Sequence, residues 1–193
     1  MLENLSPYKI LLASKSPRRR ELLELLRVPF SVVSTGGIDE SYPHDLPAHE
    51  IPEYLANKKG DAYRNKFSGK EMIITADTLV LLNDKVLGKP SGREEAIAML
   101  HELSGKTHLV ITGVSITTAD KRTCFSVRTE VTFARLSDED IAYYVDNYLP
   151  YDKAGAYGIQ EWIGCIAVEK IDGSFYNVMG LPVQRLYQEL KKF

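Results

Sequence analysis

Segments with the pattern of a β-strand alternate with segments patterned as an α-helix, and this alternation restricts the fold more than any other feature. The first pair is an apolar run over 9–13, followed by a leucine-rich stretch that starts at Ser16-Pro17. Serine is favoured at a helix N-cap and proline at the first helical position. Alternating strands and helices pack as a sheet covered by helices. We therefore predict an α/β fold with a mixed, strongly twisted central sheet flanked by helices.

The remaining elements follow from hydrophobic spacing and from turn residues. Predicted strands after the first cover 30–34, 72–82, 85–87, 107–118, 123–136 and 164–171. Predicted helices cover 52–66, a stretch from a capping box at 91–94 to Gly105, a stretch from Ser137 to Pro150, and the C-terminal stretch from Pro182. The chain has 193 residues, 44% of them hydrophobic, without repeats or low-complexity linkers, so we predict a single domain over 1–193.

The charge balance and the cysteines limit the class of protein. The 24 basic and 26 acidic residues give a net charge of −2, which provides no general attraction to nucleic acid or to anionic membranes. No segment approaches the roughly 18 apolar residues of a membrane-spanning helix, and the N-terminal residues lack the pattern of a secretory leader. Cys124 and Cys165 stand apart without a CxxC motif. These features predict a cytoplasmic protein with no nucleic-acid or membrane partner.

Three consecutive arginines stand where the first helix should begin, directly after the first strand. A helix start already carries positive partial charge, so cations there are unfavourable unless an anion binds. Residues three and four apart share a helix face, which places Arg18 and Arg19 on the leucine face and Arg20 beside Glu24. The leucines predicted to face the core are Leu22, Leu23, Leu25 and Leu26. The pattern indicates a phosphate site, with a solvated turn or a basic minor-groove clip as alternatives.

Asp77 interrupts an apolar run over 73–82. A buried carboxylate without compensation costs several kcal/mol. A divalent metal ion, the lysines Lys59 and Lys89, or a water molecule that Asp77 deprotonates would each compensate it. The alternative is an aspartate that caps a bulge or pairs with a structural lysine.

Two further side chains lie in segments typical of binding loops. Glu40 belongs to a long polar loop over 35–47, where it either contacts a ligand or only adds solubility. Gln160 ends a glycine-spaced segment over 151–160 that suits close approach of the backbone to a ligand. Its planar amide complements the imide face of uracil or thymine, although it could equally satisfy a nearby backbone group.

Two common site types are excluded. The segment 104–107 has the Gly-Lys-Thr ending of a P-loop, but it ends a predicted helix, and Leu100 stands where the first glycine should be. The four histidines show no HExxH or paired spacing, so a zinc site is not expected.

Seven short motifs, in order over about residues 8 to 190, closely resemble the Maf family of nucleoside triphosphate pyrophosphatases. They are Ser14-x-Ser16-Pro17-Arg18-Arg19-x-Glu21-Leu22-Leu23, Ala76-Asp77-Thr78, Gly88-Lys89-Pro90, Leu103-Ser104-Gly105-Lys106, Thr112-Gly113-Val114, Asp152-Lys153-Ala154-Gly155 and Gly180-Leu181-Pro182. The resemblance implies a Maf and inosine triphosphatase-like fold, with two lobes around a nucleotide cleft, and a homodimer.

The resemblance also implies the reaction, which is hydrolysis of a nucleoside triphosphate to the monophosphate and pyrophosphate. It makes Asp77 the general base for water attack at the α-phosphate. It assigns substrate binding to Ser14, Arg18, Arg19, Glu40, Lys59 and Lys89. It implies a divalent cation, Mg²⁺ or Mn²⁺, with Asp77 and Glu40 as candidate ligands. The choice of Lys59 over Lys58 depends on a helix without sharp landmarks.

The segment around Gln160 is similar to the branch of the family that acts on dTTP and UTP, with Arg18, Thr78 and Gln160 selecting the base. A housekeeping role in removing unwanted or modified nucleotides follows from that branch. The alternatives are a pyrophosphatase for methylated GTP, whose branch carries a glutamate near the end of this segment, and a nucleotide-sensing regulator linked to septum formation.

Overall fold

The computed structural model describes residues 2–34, 37–64 and 67–193. Within it the chain forms two compact units. The first comprises Met1–Asp77, Thr112–Val127 and Gly180–Phe193, and the second comprises Thr78–Ile111 and Arg128–Met179. The boundary between the units therefore falls inside one strand, between Asp77 and Thr78.

Seven strands form the sheet, in the order β2-β1-β3-β5-β6-β7 with β4 paired to β3. They are β1 (Lys9–Ala13), β2 (Phe30–Val33), β3 (Glu71–Leu82), β4 (Lys85–Leu87), β5 (Thr107–Thr117), β6 (Arg122–Phe133) and β7 (Val168–Asp172). The pairs β1–β2 and β1–β3 are parallel, whereas β3–β4 and β6–β7 are antiparallel. The mixed sheet confirms the predicted α/β class.

Seven helices accompany the strands in the described part of the chain. They are α1 (Pro17–Glu24), α2 (Ile51–Arg64), α3 (Arg93–Leu103), α4 (Asp138–Tyr148), α5 (Trp162–Ala167), α6 (Phe175–Met179) and α7 (Val183–Leu190). Among the described residues, no helix is both long and apolar enough to cross a membrane. The predicted helix over 52–66 is α2, and residues 65 and 66 lie outside the described residues, as do residues 35 and 36 of the predicted polar loop.

In the first unit, β1 and β3 run side by side in the same direction. Lys9 pairs with Glu71 and Ala13 pairs with Thr75, so both strands advance toward the same edge. β1 ends at Ala13, while β3 continues and carries Asp77 two residues beyond the last paired position. The parallel register thus places the start of α1 and the Asp77 carboxylate at the carboxyl end of β1, the usual ligand-binding edge of such sheets.

Helix α2 lies unusually close to two strands of the first unit. A Cβ added to Gly113 of β5 would lie 2.2 Å from the backbone nitrogen of Glu53. A Cβ added to Gly60 of α2 would lie 3.1 Å from Thr117 Oγ1. The Thr75 hydroxyl of β3 donates a hydrogen bond to the carbonyl of Ala56 at 2.6 Å. Because these two glycines have no side chain, α2 can lie close to the strands.

The second unit has its own hydrophobic core. Helices α3 and α4 pack against each other. The largest fully buried side chains of this core include Leu100, Leu103, Phe133 and Tyr144. Helix α4 begins with a complete capping box, in which the Ser137 hydroxyl accepts from the Asp140 backbone N–H at 3.1 Å. This confirms the predicted cap at Ser137.

One predicted strand is wrong over the first half of its length. The segment 164–171 starts inside helix α5 (Trp162–Ala167), and its second half belongs to β7. Ile163 and Ala167 are both buried, and this four-residue spacing suits a helix. A Cβ on Gly164 would lie 1.8 Å from the carbonyl oxygen of Ile159. Gly164, the first residue of the predicted strand, is therefore a point of close backbone packing.

Two predicted details of helix ends are also wrong. Helix α3 begins with Gly92 as its N-cap, and the Ser91 N–H and hydroxyl instead bond to Glu95 at 2.7 and 2.6 Å. Leu25 is 57% exposed, because α1 ends at Glu24 and the chain leaves the helix before Leu25 can face the core. Leu22 and Leu23 are buried as predicted.

We expect Gly113→Ala to lower the free energy of unfolding by about 3 kcal/mol or more, because the new methyl group would overlap the backbone of α2. Urea unfolding followed by circular dichroism measures the change. Gly88→Ala is the matched control, since Gly88 is exposed and a Cβ there meets no atom within 4 Å, and it should change stability by at most about 0.5 kcal/mol. Equal stability of the two variants would contradict this account of the α2 contact.

Candidate functional site

A buried ion pair between α2 and β3 is the centre of the site in the first unit. The Lys59 ammonium donates to Asp77 Oδ1 at 2.6 Å. The two side chains are 7% and 16% exposed. An ion pair this poorly solvated is held by strong mutual attraction, and removing either partner would leave a buried charge without compensation. The compensation that Asp77 requires is thus supplied at least in part by Lys59.

A second carboxylate contacts the same ammonium. Glu40 Oε1 lies 3.1 Å from Lys59 Nζ, and its side chain is 55% exposed. The adjacent lysine, Lys58, holds the loop beside Glu40, because its ammonium bonds to Asp39 Oδ2 and to the Ser41 carbonyl, each at 2.8 Å. The hydrogen bond from Lys58 holds the pKa of Asp39 below its ordinary value. The two neighbouring lysines therefore make different contacts: Lys59 binds the carboxylates of the site, and Lys58 binds the loop beside Glu40.

Arg19 connects α1 to the strand that carries Asp77. Its Nε donates to the Gly180 carbonyl and its Nη1 to the Ala76 carbonyl, both at 2.8 Å. Burial lowers the pKa of Arg19, while the nearby charge of Asp77 raises it and that of Arg18 lowers it again. Because Ala76 immediately precedes Asp77, the guanidinium fixes the backbone next to the carboxylate.

Ser14 occupies the turn between β1 and α1. It is buried, and its hydroxyl accepts a hydrogen bond from the Ser16 backbone N–H at 3.1 Å. Ser16 is the N-cap and Pro17 the first helical residue, as predicted, but the Ser16 side chain makes no capping hydrogen bond within the described residues. The first turn of α1 contains arginines and no acidic residue. This helix start is suited to an anion.

The charges gathered in the first unit sum to a positive excess. Arg18, Arg19 and Lys59 carry three positive charges, against two negative charges on Glu40 and Asp77. Arg20, by contrast, pairs with Glu24 at 3.0 Å on the exposed side of α1, as predicted. A local positive excess in a protein of net charge −2 favours a polyanionic ligand at this position.

The other predicted site residues belong to the second unit. Thr78 follows Asp77 directly in β3, and Lys89 is an exposed residue two positions after β4. The Gly155 N–H donates to the Gly88 carbonyl at 3.0 Å, which ties the Lys89 segment to the glycine-spaced segment. Gln160 is exposed at the end of that segment, whose residues from 155 to 159 are all buried.

Sequence reasoning missed several polar contacts, some at the site of the first unit and others within the second unit. Lys58 was seen only as a rival of Lys59, and the carbonyl of Gly180 was not considered as a partner of Arg19. Lys153, Glu161 and Tyr144 form a buried polar cluster in the second unit. The partners lie from 8 to 161 residues apart in the chain, so no local pattern signals them.

The carboxylates of this site could bind a divalent cation only if the substrate supplied most of the cation's ligands. No group of three or more His, Cys, Asp or Glu side chains that could hold a metal occurs within residues 2–34, 37–64 and 67–193. Asp77 and Glu40 offer hard carboxylate oxygens, but both carboxylates already contact the Lys59 ammonium. Mg²⁺ commonly binds through one or two carboxylates together with phosphate oxygens and water. A cation carried by a triphosphate therefore fits these residues.

Comparisons with known proteins agree along the whole chain. A protein of Parabacteroides distasonis named dTTP/UTP pyrophosphatase is 61% identical over 193 residues, covering 100% of both chains. A Phocaeicola vulgatus protein of the same name is 60% identical over 192 residues with the same coverage. The solved structure of the Staphylococcus aureus Ham1 protein has a TM-score of 0.51 at 15% identity, and covers 94% of this chain and 98% of that one. The last likeness shows the fold alone.

A family profile described as Maf-like protein matches residues 9–193, which is nearly the entire sequence. The match includes all seven motifs noted in the sequence, from the Ser14 turn to Gly180-Leu181-Pro182. On the family match and the two full-length relatives together, the chain belongs to the Maf family.

Proposed function

We propose that this protein hydrolyses dTTP and UTP to the nucleoside monophosphate and pyrophosphate. Relatives at 61% and 60% identity over the full length carry the name dTTP/UTP pyrophosphatase. The observation that carries the proposal is the buried Lys59 ammonium between Asp77 and Glu40. Cations beside one placed carboxylate are the parts that phosphoryl chemistry needs, since catalysis there depends on positioning and on electrostatic stabilisation.

Asp77 is proposed as the general base. A water molecule gives its proton to the Asp77 carboxylate as its oxygen bonds to the α-phosphorus. The bond from that phosphorus to the bridging oxygen breaks, and pyrophosphate leaves with the bonding electron pair. Lys59, at 2.6 Å, holds the carboxylate in one position. A base fixed within reach of its water contributes typically 10² to 10⁴ in rate, on the order of 3 to 5 kcal/mol.

The triphosphate is assigned to the cationic residues. Arg18 and Arg19 at the start of α1, with Ser14 in the preceding turn, are proposed to bind phosphate oxygens, because guanidinium forks and helix N–H groups both match them. Lys59 and Lys89 add ammonium groups, and Glu40 keeps Lys59 oriented through their 3.1 Å contact. These groups also favour the negative charge that develops on the departing pyrophosphate.

A divalent cation, Mg²⁺ or Mn²⁺, is proposed to accompany the substrate, with Asp77 and Glu40 as its candidate protein ligands. When bound, it would polarise phosphate oxygens as a Lewis acid. The residues of this chain would meanwhile orient the triphosphate and accept the proton from water.

Base selection is assigned to Arg18, Thr78 and Gln160. The amide of Gln160 can accept from the N3–H of uracil or thymine and donate to a ring carbonyl. The names of the full-length relatives favour these pyrimidines over methylated GTP. One functional domain over 1–193, a homodimer, a cytoplasmic location and the absence of nucleic-acid and membrane partners complete the proposal.

The first experiment is a panel of nucleoside triphosphates with Mg²⁺, in which pyrophosphate is detected separately from orthophosphate. We expect pyrophosphate chiefly from dTTP and UTP, because the amide of Gln160 complements their imide edge. Preference for methylated GTP would reject the substrate assignment, and orthophosphate as the first product would reject the attack at the α-phosphate.

We expect Asp77→Asn to lower kcat for dTTP by at least about 10²-fold, because an amide cannot accept the proton from water. Binding of dTTP without turnover, measured by calorimetry, should persist. Asp84→Asn, in the exposed turn after β3, is the control and should keep normal turnover. Near-normal turnover of Asp77→Asn would remove Asp77 from the role of base.

The two adjacent lysines of α2 provide a matched pair of variants. Lys59→Met should lower kcat/KM for dTTP by about 10²-fold, because it removes the cation beside Asp77. Lys58→Met should lower it by less than about tenfold, since Lys58 donates hydrogen bonds to the exposed loop at Asp39 and Ser41 and not to Asp77 within the described residues. Thermal unfolding of both variants separates lost activity from lost stability. The reverse order of effects would reassign the site lysine.

A further inference from the structure

A closed polar network joins helix α4 to the segment that precedes Gln160. The Gly158 N–H donates to the Tyr144 hydroxyl at 3.0 Å. The Tyr144 hydroxyl in turn donates to Glu161 Oε2. The other oxygen of Glu161 lies 3.0 Å from the Lys153 ammonium, which also donates to Asp152 Oδ1 at 2.8 Å. The network thus spans residues 152 to 161 and fixes both ends of this segment.

Three members of this network are poorly solvated. Tyr144 is fully buried, and the side chains of Lys153 and Glu161 are 9% and 20% exposed. Burial, together with the hydrogen bond to Glu161, raises the pKa of the Tyr144 hydroxyl, so the hydroxyl remains a donor at neutral pH. A buried ion pair is weak as a source of stability, since apolar residues of similar volume often serve as well. Its value here is the single geometry that it imposes.

The residues on both sides of Gln160 are closely packed. A Cβ on Gly158 would lie 2.8 Å from Glu161 Cδ and 3.0 Å from Lys153 Cε, so the segment rests directly on the ion pair. The carbonyl of Ile159, the residue before Gln160, lies against the backbone of Gly164 in α5. Residues 158, 159 and 161 are therefore each fixed, while Gln160 between them is the exposed one.

A second anchor holds the neighbouring residue Tyr157. Its hydroxyl and His108 Nε2 form a hydrogen bond of 2.8 Å, and both rings contact the edge or face of Phe133. Burial lowers the pKa of His108 to about 4, so its imidazole is neutral at physiological pH. This anchor holds Tyr157, whereas the Tyr144 network holds Gly158 and Glu161.

We propose that Tyr144, Lys153 and Glu161 are positioning residues for base selection, which hold the backbone on both sides of Gln160 so that its amide meets the pyrimidine in one register. The inference rests on the proposed function. Cytosine reverses the hydrogen-bonding pattern of uracil at N3 and at position 4, and an amide side chain that can shift or flip accommodates either base. Discrimination of uracil and thymine from cytosine therefore requires that the Gln160 amide keep one orientation. Because Gln160 is exposed, its position depends on the backbone that carries it.

The test compares kcat/KM for dTTP with kcat/KM for dCTP in Tyr144→Phe and in the wild-type protein. Tyr144→Phe keeps the buried ring and removes the hydroxyl that joins Gly158 to Glu161. We expect the dTTP to dCTP ratio to fall by at least about tenfold, while pyrophosphate release continues, because misplaced hydrogen-bonding groups lose discrimination before they lose phosphate chemistry. Tyr148→Phe is the matched control, since Tyr148 stacks on Tyr144 from the same helix but is 37% exposed.

A merely structural role of the network predicts a different result. In that case Tyr144→Phe would lower the melting temperature and would reduce kcat/KM for both nucleotides in equal proportion, which would overturn the proposal. Glu161→Gln serves if Tyr144→Phe does not fold, because it keeps the shape and weakens the bond to Lys153. An unchanged ratio in Glu161→Gln would likewise overturn the proposal.

Hydrogen exchange on the full protein gives a readout independent of activity. Peptides covering 153–161 should exchange at least about tenfold faster in Tyr144→Phe than in Tyr148→Phe, since the Gly158 N–H loses its acceptor. Equal exchange would overturn the proposal. Wild-type protein that releases no pyrophosphate from any nucleotide would reject the proposed function itself, whereas wild-type selectivity that survives loss of the Tyr144 hydroxyl rejects only this inference.

Discussion

The burial of Lys59 beside Asp77 is the constraint on which the architecture of the first unit depends. An ammonium and a carboxylate 2.6 Å apart reach a poorly solvated position only if α2 lies close upon the strands. Gly113 and Gly60 permit this approach, because a Cβ at either position would contact the opposing element. Thr75 lies two residues before Asp77 on the strand, and its hydroxyl fixes the same contact by donating to the Ala56 carbonyl of α2. Two glycines and a threonine therefore have a functional consequence although they carry no reactive group.

The arginines at the start of α1 add positive charge beside this pair. Arg19 donates hydrogen bonds to the backbone carbonyls of Gly180 and Ala76. A hydrogen bond to a neutral carbonyl leaves the guanidinium charged, so Arg19 adds to the positive excess of the cluster. A folded protein that keeps cations together in this way loses stability through their repulsion, and a bound polyanion recovers it.

Sequence patterns predicted the features that depend on local chemistry. The strand–turn–helix around Ser16-Pro17, the cap at Ser137 and the helix end at Gly105 each depend on residues within one turn of each other, and the structure agrees. The predicted strand over 164–171 began four residues too early, because Gly164 lies in α5 and packs against the carbonyl of Ile159, a contact that a strand pattern does not contain. The exposure of Leu25 depends on where α1 ends, and helix ends are the least certain boundary in any sequence pattern.

The site was predictable in its residue types and less so in its geometry. An aspartate within an apolar run predicts a compensating partner, but the pattern offered both Lys58 and Lys59, and only the contact of α2 with β3 shows that Lys59 lies beside Asp77. Two partners of Arg19 are backbone carbonyls, which every residue has, so no side-chain pattern could have identified these two contacts. The sequence therefore predicted which charged residues belong to the site, but it did not predict the contacts that hold each of them.

Each unit contains one buried lysine between two carboxylates, and the difference between the two clusters indicates their different tasks. Lys153 faces Asp152 and Glu161, and the remaining acceptor on Glu161 is satisfied by the Tyr144 hydroxyl, so this cluster is internally complete. Lys59 faces Asp77 and Glu40, and Arg18 and Arg19 bring further positive charge to the same place. A fully hydrogen-bonded cluster fixes geometry, and a concentration of cations favours an anion. On the proposals made above, the same ionic arrangement serves positioning in one unit and phosphate chemistry in the other.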